Sequence, residues 1–158
     1  VNAPDFDFIL WLNQVRNTMF FVDKVILVEG ASDKAFLNYL IKENNLDKNC
    51  YIVDCGNKSN IPHFMKLCEQ FGIRHSIMFD KDGDATQNHK TWNKAITDAN
   101  NQFTIDIKDF PNDLETYIGF DQVSSSDKFK KPLEVLRQLR EGKLSSVHVA
   151  EFSTFLNN

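Results

Sequence analysis

The segment KVILVEGASDKAF, residues 24–36, constrains the fold more than any other part of the sequence. Residues 25–28 form an unbroken apolar run, which is typical of a strand buried on both faces of a parallel sheet. Glu29 follows at the carboxyl end of this predicted strand. Ser32 is a favourable helix N-cap, so the sequence predicts a helix whose first turn contains Asp33. Because open α/β sheets bind ligands at the carboxyl ends of their strands, we expect Glu29 and Asp33 to be placed for chemistry.

The same order of strand and helix recurs along the chain. Further strands are predicted at residues 50–53, 75–79 and 103–107. Further helices are predicted at residues 60–71 and 92–99. This order predicts an α/β fold, with a Rossmann-like parallel sheet of about four strands and helices on both faces.

The two ends of the chain add helices to this pattern. Residues 5–21 predict a lead-in helix, and the last forty residues predict helices at 132–140 and 147–156. We therefore divide the chain into a lead-in, a core and a C-terminal helical extension, at residues 1–22, 23–120 and 121–158.

Composition excludes some classes of protein. The 158 residues have the length of one domain with a substantial core. The sequence predicts neither a membrane span nor a signal peptide, so we expect a cytoplasmic protein without a membrane partner. The three cysteines lack the paired spacing of a structural zinc site.

A second group of acids lies in the segment FDKDGDA. Asp80, Asp82 and Asp84 stand at alternate positions just past a predicted strand, where they can supply oxygen ligands to hard cations such as Mg²⁺. An EF-hand is excluded, because its required Gly and Glu are missing from the corresponding positions. Two alternatives stay open on this segment alone: the Asp-x-Asp of an aspartyl phosphatase, and a solvated acidic turn.

The two acidic groups are expected to meet. Glu29 and Asp80 both end predicted parallel strands, so they should lie at one edge of the sheet. Four or more carboxylates crowded there would repel one another by several kcal/mol at low effective dielectric. A site for divalent metal ions is the simplest arrangement that neutralises this repulsion.

Together, VEGASD and DKDGDA resemble the topoisomerase/primase (Toprim) domain, which has a Glu after its first strand and an Asp-x-Asp after its third. More narrowly, four segments look like the Toprim half of the overcoming-lysogenisation-defect (OLD) family of ATP-dependent nucleases: FFVDKVILVEGASDKAF, DCGNKSNIPHF, FDKDGDA and NDLETYIG. The resemblance covers about residues 17–120 well. The sequence departs from the family at Asp33, where the family often has Glu.

The resemblance implies a Mg²⁺- or Mn²⁺-dependent endonuclease that cleaves DNA phosphodiester bonds. Glu29, Asp80 and Asp82 would match the first metal site. Asp33 and Glu115 are the candidates for a second ion, about 4 Å from the first.

A basic residue near the scissile phosphate is also implied. Lys131 is the first candidate, because a helix is predicted to begin immediately after it, and Lys130 and Lys143 are its rivals. Lys58 and Ser59 lie beside another predicted helix start and are candidates for contacts with DNA phosphates.

The partners implied are DNA and an ATPase. OLD-like proteins join this domain to an ATPase, and the chain has no Walker A motif, so the ATPase is expected upstream in the same polypeptide or in another chain. A net charge of −4 is unlike that of most DNA-binding domains, although the proposed metal ligands contribute several of the acids. A Toprim primase or ribonuclease, a catalytically silent binding module and an aspartyl phosphatase remain alternatives. Homo-oligomerisation and a role in phage defence or DNA repair are left open.

Overall fold

The computed structural model describes residues 18–46, 50–123 and 125–158. Most of the lead-in helix predicted over residues 5–21 lies outside these ranges. Its described part, Thr18–Phe21, is a 3-10 turn whose Met19 is fully buried in the core.

The described residues form a four-stranded sheet in which all paired strands are parallel. Its strands are β1 (Lys24–Val28), β2 (Cys50–Asp54), β3 (Arg74–Asp80) and β4 (Thr104–Phe110). They lie in the order β2-β1-β3-β4, so β1 and β3 form the centre. The predicted α/β fold with a parallel sheet of about four strands is confirmed.

The central strand β1 and the edge strand β4 differ in burial. Every residue of β1 is buried, and the burial of its apolar run 25–28 is expected at the centre of a parallel sheet. Most of β4 is only half-buried, because it pairs with β3 alone. The predicted end of β4 at residue 107 was too early. Its pairing with β3 continues until Asp80 lies opposite Phe110, so the strand runs to Phe110.

Helices cover both faces of the sheet. The described helices are α1 (Ala31–Glu43), α2 (Ile61–Phe71), α3 (Gln87–Asp98), α4 (Leu114–Ile118), α5 (Lys131–Arg140) and α6 (Ser146–Asn157). Further 3-10 turns span Lys58–Asn60, Asp82–Asp84 and Ser125–Lys130. Among the described helices, none is long and apolar enough to cross a membrane.

The helices α5 and α6 pack into the core on the same face as α1. Val135 and Leu139 from α5 are buried in one hydrophobic cluster with Phe36 from α1. Phe152 from α6 packs edge-on against Phe36, with 4.8 Å between ring centroids. The opposite face is covered by α2 and α3, whose buried side chains form a second cluster. The C-terminal helices therefore complete one layer of the fold, while the domain boundary at residue 120 stays a prediction.

The start of α1 differs from the prediction. Its N-cap is Gly30 rather than Ser32, and the first helical residue is Ala31. The Asp33 carboxylate accepts a hydrogen bond from the Gly30 N–H at 3.1 Å, as an acid at the third helical position does in a capping box. This contact draws Asp33 back toward the end of β1.

Candidate functional site

Charged side chains from segments that follow all four strands gather at the carboxyl edge of the sheet. Glu29 follows β1, Asp80 ends β3, Glu115 lies in the first turn of α4 after β4, and Lys58 lies in the 3-10 turn after β2. The chain runs from β1 to β2 in one direction and then crosses β1 to reach β3. Such a switch point is where open α/β sheets bind ligands.

Glu29 and Asp80 are linked directly at the centre of this edge. The backbone N–H of Asp80 donates to Glu29 Oε1 at 2.9 Å. Asp80 Oδ1 in turn accepts from the backbone N–H of Leu114, the first residue of α4, also at 2.9 Å. Because both donors are backbone groups, the two carboxylates are oriented by the ends of secondary structure elements rather than by mobile side chains.

Glu115 and Lys131 form an ion pair beside these two acids. Lys131 Nζ lies 2.9 Å from Glu115 Oε1, and Lys131 is the first residue of α5. Glu115 is only 1% exposed, and its second carboxylate oxygen, Oε2, has no hydrogen-bond partner among the described residues. The carboxylate of Asp33 interacts electrostatically with those of Glu29 and Glu115. The packing of α5 against α1 therefore brings a C-terminal lysine to the acids of the core.

Lys58 is enclosed by the cluster rather than exposed at its surface. Its side chain is 4% exposed, and its ammonium donates to Asp82 and lies 3.6 Å from Glu29 Oε1. The turn that carries Lys58 is capped by Asn57, whose Oδ1 accepts from the backbone N–H of Ser59 at 2.7 Å. The sequence suggested that Lys58 would contact DNA phosphates. In the structure its ammonium is paired with the carboxylates of Asp82 and Glu29, and its contact with DNA stays a prediction.

The FDKDGDA segment separates its last two acids. Asp82 and Asp84 both have left-handed backbones, with φ of 54° and 50°. The Asp82 N–H donates to the carbonyl of Asn112 at 2.9 Å, which holds the turn against the segment after β4. Asp84 is exposed, and its Oδ1 accepts from Asn93 Nδ2 at 3.0 Å. Asp82 is therefore linked to Glu29 by the Lys58 ammonium between them, whereas the carboxylate of Asp84 is hydrogen-bonded to Asn93 on α3.

Burial and nearby acidic charges raise the pKa values of three carboxyl groups in the cluster, those of Asp80, Asp33 and Glu29. The pKa of Asp80 is raised to about 9, first by burial and then by the charges of Asp33, Glu29 and Glu115. The pKa of Asp33 is raised to about 7 by burial and then by Glu29 and Glu115. Burial also raises the pKa of Glu29, although Lys58 opposes this shift. Without a cation, the cluster keeps protons at neutral pH that isolated carboxyl groups would lose.

The chemistry of the cluster fits a divalent cation, although its present partners would have to be exchanged. Within the ranges that the structure describes, no three Asp, Glu, His or Cys side chains already form a group that could hold a metal ion. Their oxygens are now paired with lysine ammonium groups and backbone N–H groups. A set of carboxylate donors, the raised pKa values of Asp80 and Asp33, and the unpartnered Oε2 of Glu115 among the described residues all suit a hard cation.

The other predicted basic residues lie at the surface. Lys130 is exposed, and its Nζ is 2.8 Å from Asp127. Lys143 forms an ion pair with Asp121. Of the three C-terminal lysines considered, Lys131 is therefore the one that the structure brings to the carboxylates.

Sequence reasoning missed the residue that holds the acidic turn. Asn93, on α3, is buried and donates from Nδ2 both to the Lys81 carbonyl and to Asp84, each at 3.0 Å. No pattern in the sequence singled out Asn93, since a polar residue at that position is equally typical of an exposed helix face. Asn112 lies in the NDLETYIG segment, which was singled out for Glu115 rather than for its contact with this turn.

The match to a known family covers the segments that carry Glu29, Lys58 and Asp80, but not those that carry Glu115 and Lys131. Residues 20–82 match the family model described as Overcoming lysogenization defect protein-like, TOPRIM domain. This match and the parallel four-stranded sheet define a Toprim domain, a class of domain found in nucleases, primases and related nucleic-acid enzymes. Within that class, residues 20–82 match the Toprim domain of OLD-family proteins, which is the family that the motifs predicted. The chain matched no curated protein.

Proposed function

We propose that the chain is the nuclease domain of a metal-dependent DNA endonuclease. The observation that carries this proposal is the gathering of Glu29, Asp33, Asp80 and Glu115 at the carboxyl edge of the sheet, where burial and the neighbouring acids raise the pKa values of Asp33 and Asp80. Burying several acids together costs stability unless their charges are compensated. Such a cluster in a domain of this class is best explained by chemistry that uses a cation.

The acids divide into two sets of ligands. Glu29, Asp80 and Asp82 would hold one ion, and Asp33 and Glu115 would hold a second. A bound Mg²⁺ or Mn²⁺ would supply Lewis-acid stabilisation of phosphate oxygens. The backbone N–H groups that bind Glu29 and Asp80 would keep these carboxylates oriented before substrate arrives, so less ordering is needed during the reaction.

Lys131 is the basic residue that we assign to the scissile phosphate. Although burial opposes the shift, Glu115 and then Asp33 and Asp80 raise the pKa of Lys131, so its amine stays protonated. Its side chain is 30% exposed, which leaves it accessible to a phosphate group. A protonated amine in this place can stabilise negative charge that develops on a phosphate oxygen. Lys130 and Lys143 would contact the DNA backbone farther from the reacting bond.

An ATPase partner belongs to the same proposal. An ATPase domain, in the same polypeptide or in another chain, would make cleavage ATP-dependent. It would also add DNA affinity that a domain of net charge −4 lacks. Phage defence or DNA repair is the biological setting that we propose for such an enzyme.

Nicking of supercoiled plasmid DNA tests this proposal. The domain should nick DNA with Mn²⁺ or Mg²⁺ and should be inactive in EDTA. Glu29→Gln and Asp80→Asn should each reduce nicking by ~100-fold or more, because each removes a charge from the proposed ligand set. Asp98→Asn is the matched control, since Asp98 is an exposed acid on α3 that pairs with Lys94.

The outcomes separate the alternatives. Nicking at the wild-type rate by a folded Glu29→Gln or Asp80→Asn variant would overturn the proposed site. Cleavage of RNA but not of DNA would assign the same site to a ribonuclease. Release of phosphate from small monoesters, without any nicking, would favour the aspartyl phosphatase.

A further inference from the structure

The predicted contact with DNA does not explain why the Lys58 side chain is buried between acids. Its side chain is only 4% exposed, and lysine is seldom buried unless it is paired. Its ammonium donates to Asp82 and lies 3.6 Å from Glu29 Oε1. These two acids belong to the set proposed for the first ion, so Lys58 is held by that ion's own ligands.

The two lysines of the cluster are not equivalent. Lys131 lies beside Glu115, and its side chain remains 30% exposed. Lys58 is enclosed, and its positive charge lies beside Glu29 and Asp82. Lys58 therefore already compensates the charge that a cation would otherwise compensate at these two acids.

We infer that Lys58 is an internal competitor for the cation at Glu29 and Asp82. An ammonium is a compact positive charge with three donors, so it can occupy a place among carboxylate oxygens as a cation does. A divalent ion at the same oxygens must displace the ammonium or bind near it against like-charge repulsion. This inference rests on the proposed function, because it concerns the same site.

The hydrogen bonds that hold the backbone of Lys58 would not have to break in such an exchange. Its backbone is held by the turn Lys58–Asn60, which is capped by Asn57 through the Ser59 N–H and does not depend on the ammonium. The four-carbon stem can carry the ammonium to another position without moving that turn. Lys58 would thus stabilise the empty site and set the cation concentration at which the site fills.

Calorimetric titration with MnCl₂ tests this role. Lys58→Met removes the charge but keeps an apolar stem, so it should bind Mn²⁺ tighter than the wild-type protein by ~10-fold or more. Lys58→Arg keeps the charge and should bind nearly as the wild type does. Lys108→Met is the matched control, because Lys108 is also largely buried but is paired with Glu151. Its Mn²⁺ affinity should be unchanged.

A second readout is the Mn²⁺ concentration that gives half-maximal nicking. This concentration should fall in Lys58→Met by the same factor as the dissociation constant. If Lys58→Met does not fold, Lys58→Gln takes its place with the same expected result, since it also lacks the charge but keeps a hydrogen-bond donor.

Two results would count against the inference, and they are distinguishable. A folded, neutral Lys58 variant that binds Mn²⁺ with unchanged or weaker affinity would overturn it, while a metal-dependent nuclease would still stand. Absence of Mn²⁺ binding by the wild type and by the neutral variant would overturn both the inference and the proposed metal site.

Discussion

Replacing Asp80 with Asn should make the metal-free protein less sensitive to rising pH. The native state holds the Asp80 proton more tightly than the unfolded chain does, because burial and three neighbouring acids raise its pKa from 3.8 to about 9. The stabilisation from this proton is complete below the unfolded pKa. It is lost as the pH rises through the interval toward the folded pKa. Asn removes this titration, and its side-chain oxygen can still accept the Leu114 N–H bond.

The size of the effect follows from proton linkage. One proton held by the native state and absent from the unfolded state lowers the free energy of unfolding by about 1.4 kcal/mol per pH unit. Between pH 6 and pH 8, the Asp80→Asn variant should therefore lose about 2 to 3 kcal/mol less stability than the wild type. Asp33 and Glu29 also have raised pKa values. Because both residues are present in both proteins, their contributions to the pH dependence of stability largely cancel in this comparison.

Urea denaturation followed by circular dichroism measures this difference. Both proteins are treated with EDTA and unfolded at pH 6, 7 and 8. Asp98→Asn, at an exposed acid on α3, should follow the wild-type slope. If Asp80→Asn loses stability with pH as steeply as the wild type, the clustered carboxyl groups do not raise the pKa of Asp80, and the electrostatic argument for the site is refuted.

Three other predictions concern the metal and the C-terminal helices. In a thermal shift assay, Mn²⁺ should raise the melting temperature of the wild type, because an ion that binds only the folded state stabilises it. The rise should be much smaller for Asp80→Asn, and an equal rise would contradict Asp80 as a ligand. Asp33→Ala and Glu115→Ala should each retain one Mn²⁺ peak in anomalous maps, and the nicking rate should fall by ~100-fold or more. Two retained peaks would show that Asp33 and Glu115 are not ligands of the second ion. Phe152→Ala should cost ~3 to 5 kcal/mol in urea unfolding, since Phe152 is fully buried against α1. Val147→Ala is the control, because Val147 is an exposed residue on the same helix. A loss of less than ~1 kcal/mol in the free energy of unfolding of Phe152→Ala would mean that α6 is not part of the core.

The local sequence pattern was sufficient to predict the strands and to identify the acids that follow them. The apolar run before Glu29 and the one ending at Asp80 predicted two buried parallel strands, and the structure places these strands side by side. The carboxyl ends of parallel strands lie at one edge of the sheet, so the acids that follow these strands were expected on the same side of the domain. The two short segments therefore predicted that Glu29 and Asp80 share this edge, whereas the hydrogen bond between the Asp80 N–H and Glu29 depends on β1 and β3 being neighbours.

Local pattern did not determine where the lysines and the last acid of FDKDGDA lie. Lysine usually extends into solvent, and only the closeness of the turns after β2 and β3 encloses Lys58 between two acids. Lys131 approaches Glu115 because α5 packs on α1. Asp84 is held by Asn93 from a helix that begins three residues later. Periodicity and spacing report the neighbours of a residue along the chain. Which charges share one buried volume is decided by contacts between distant segments, and those exist only once the sheet and its helices have packed.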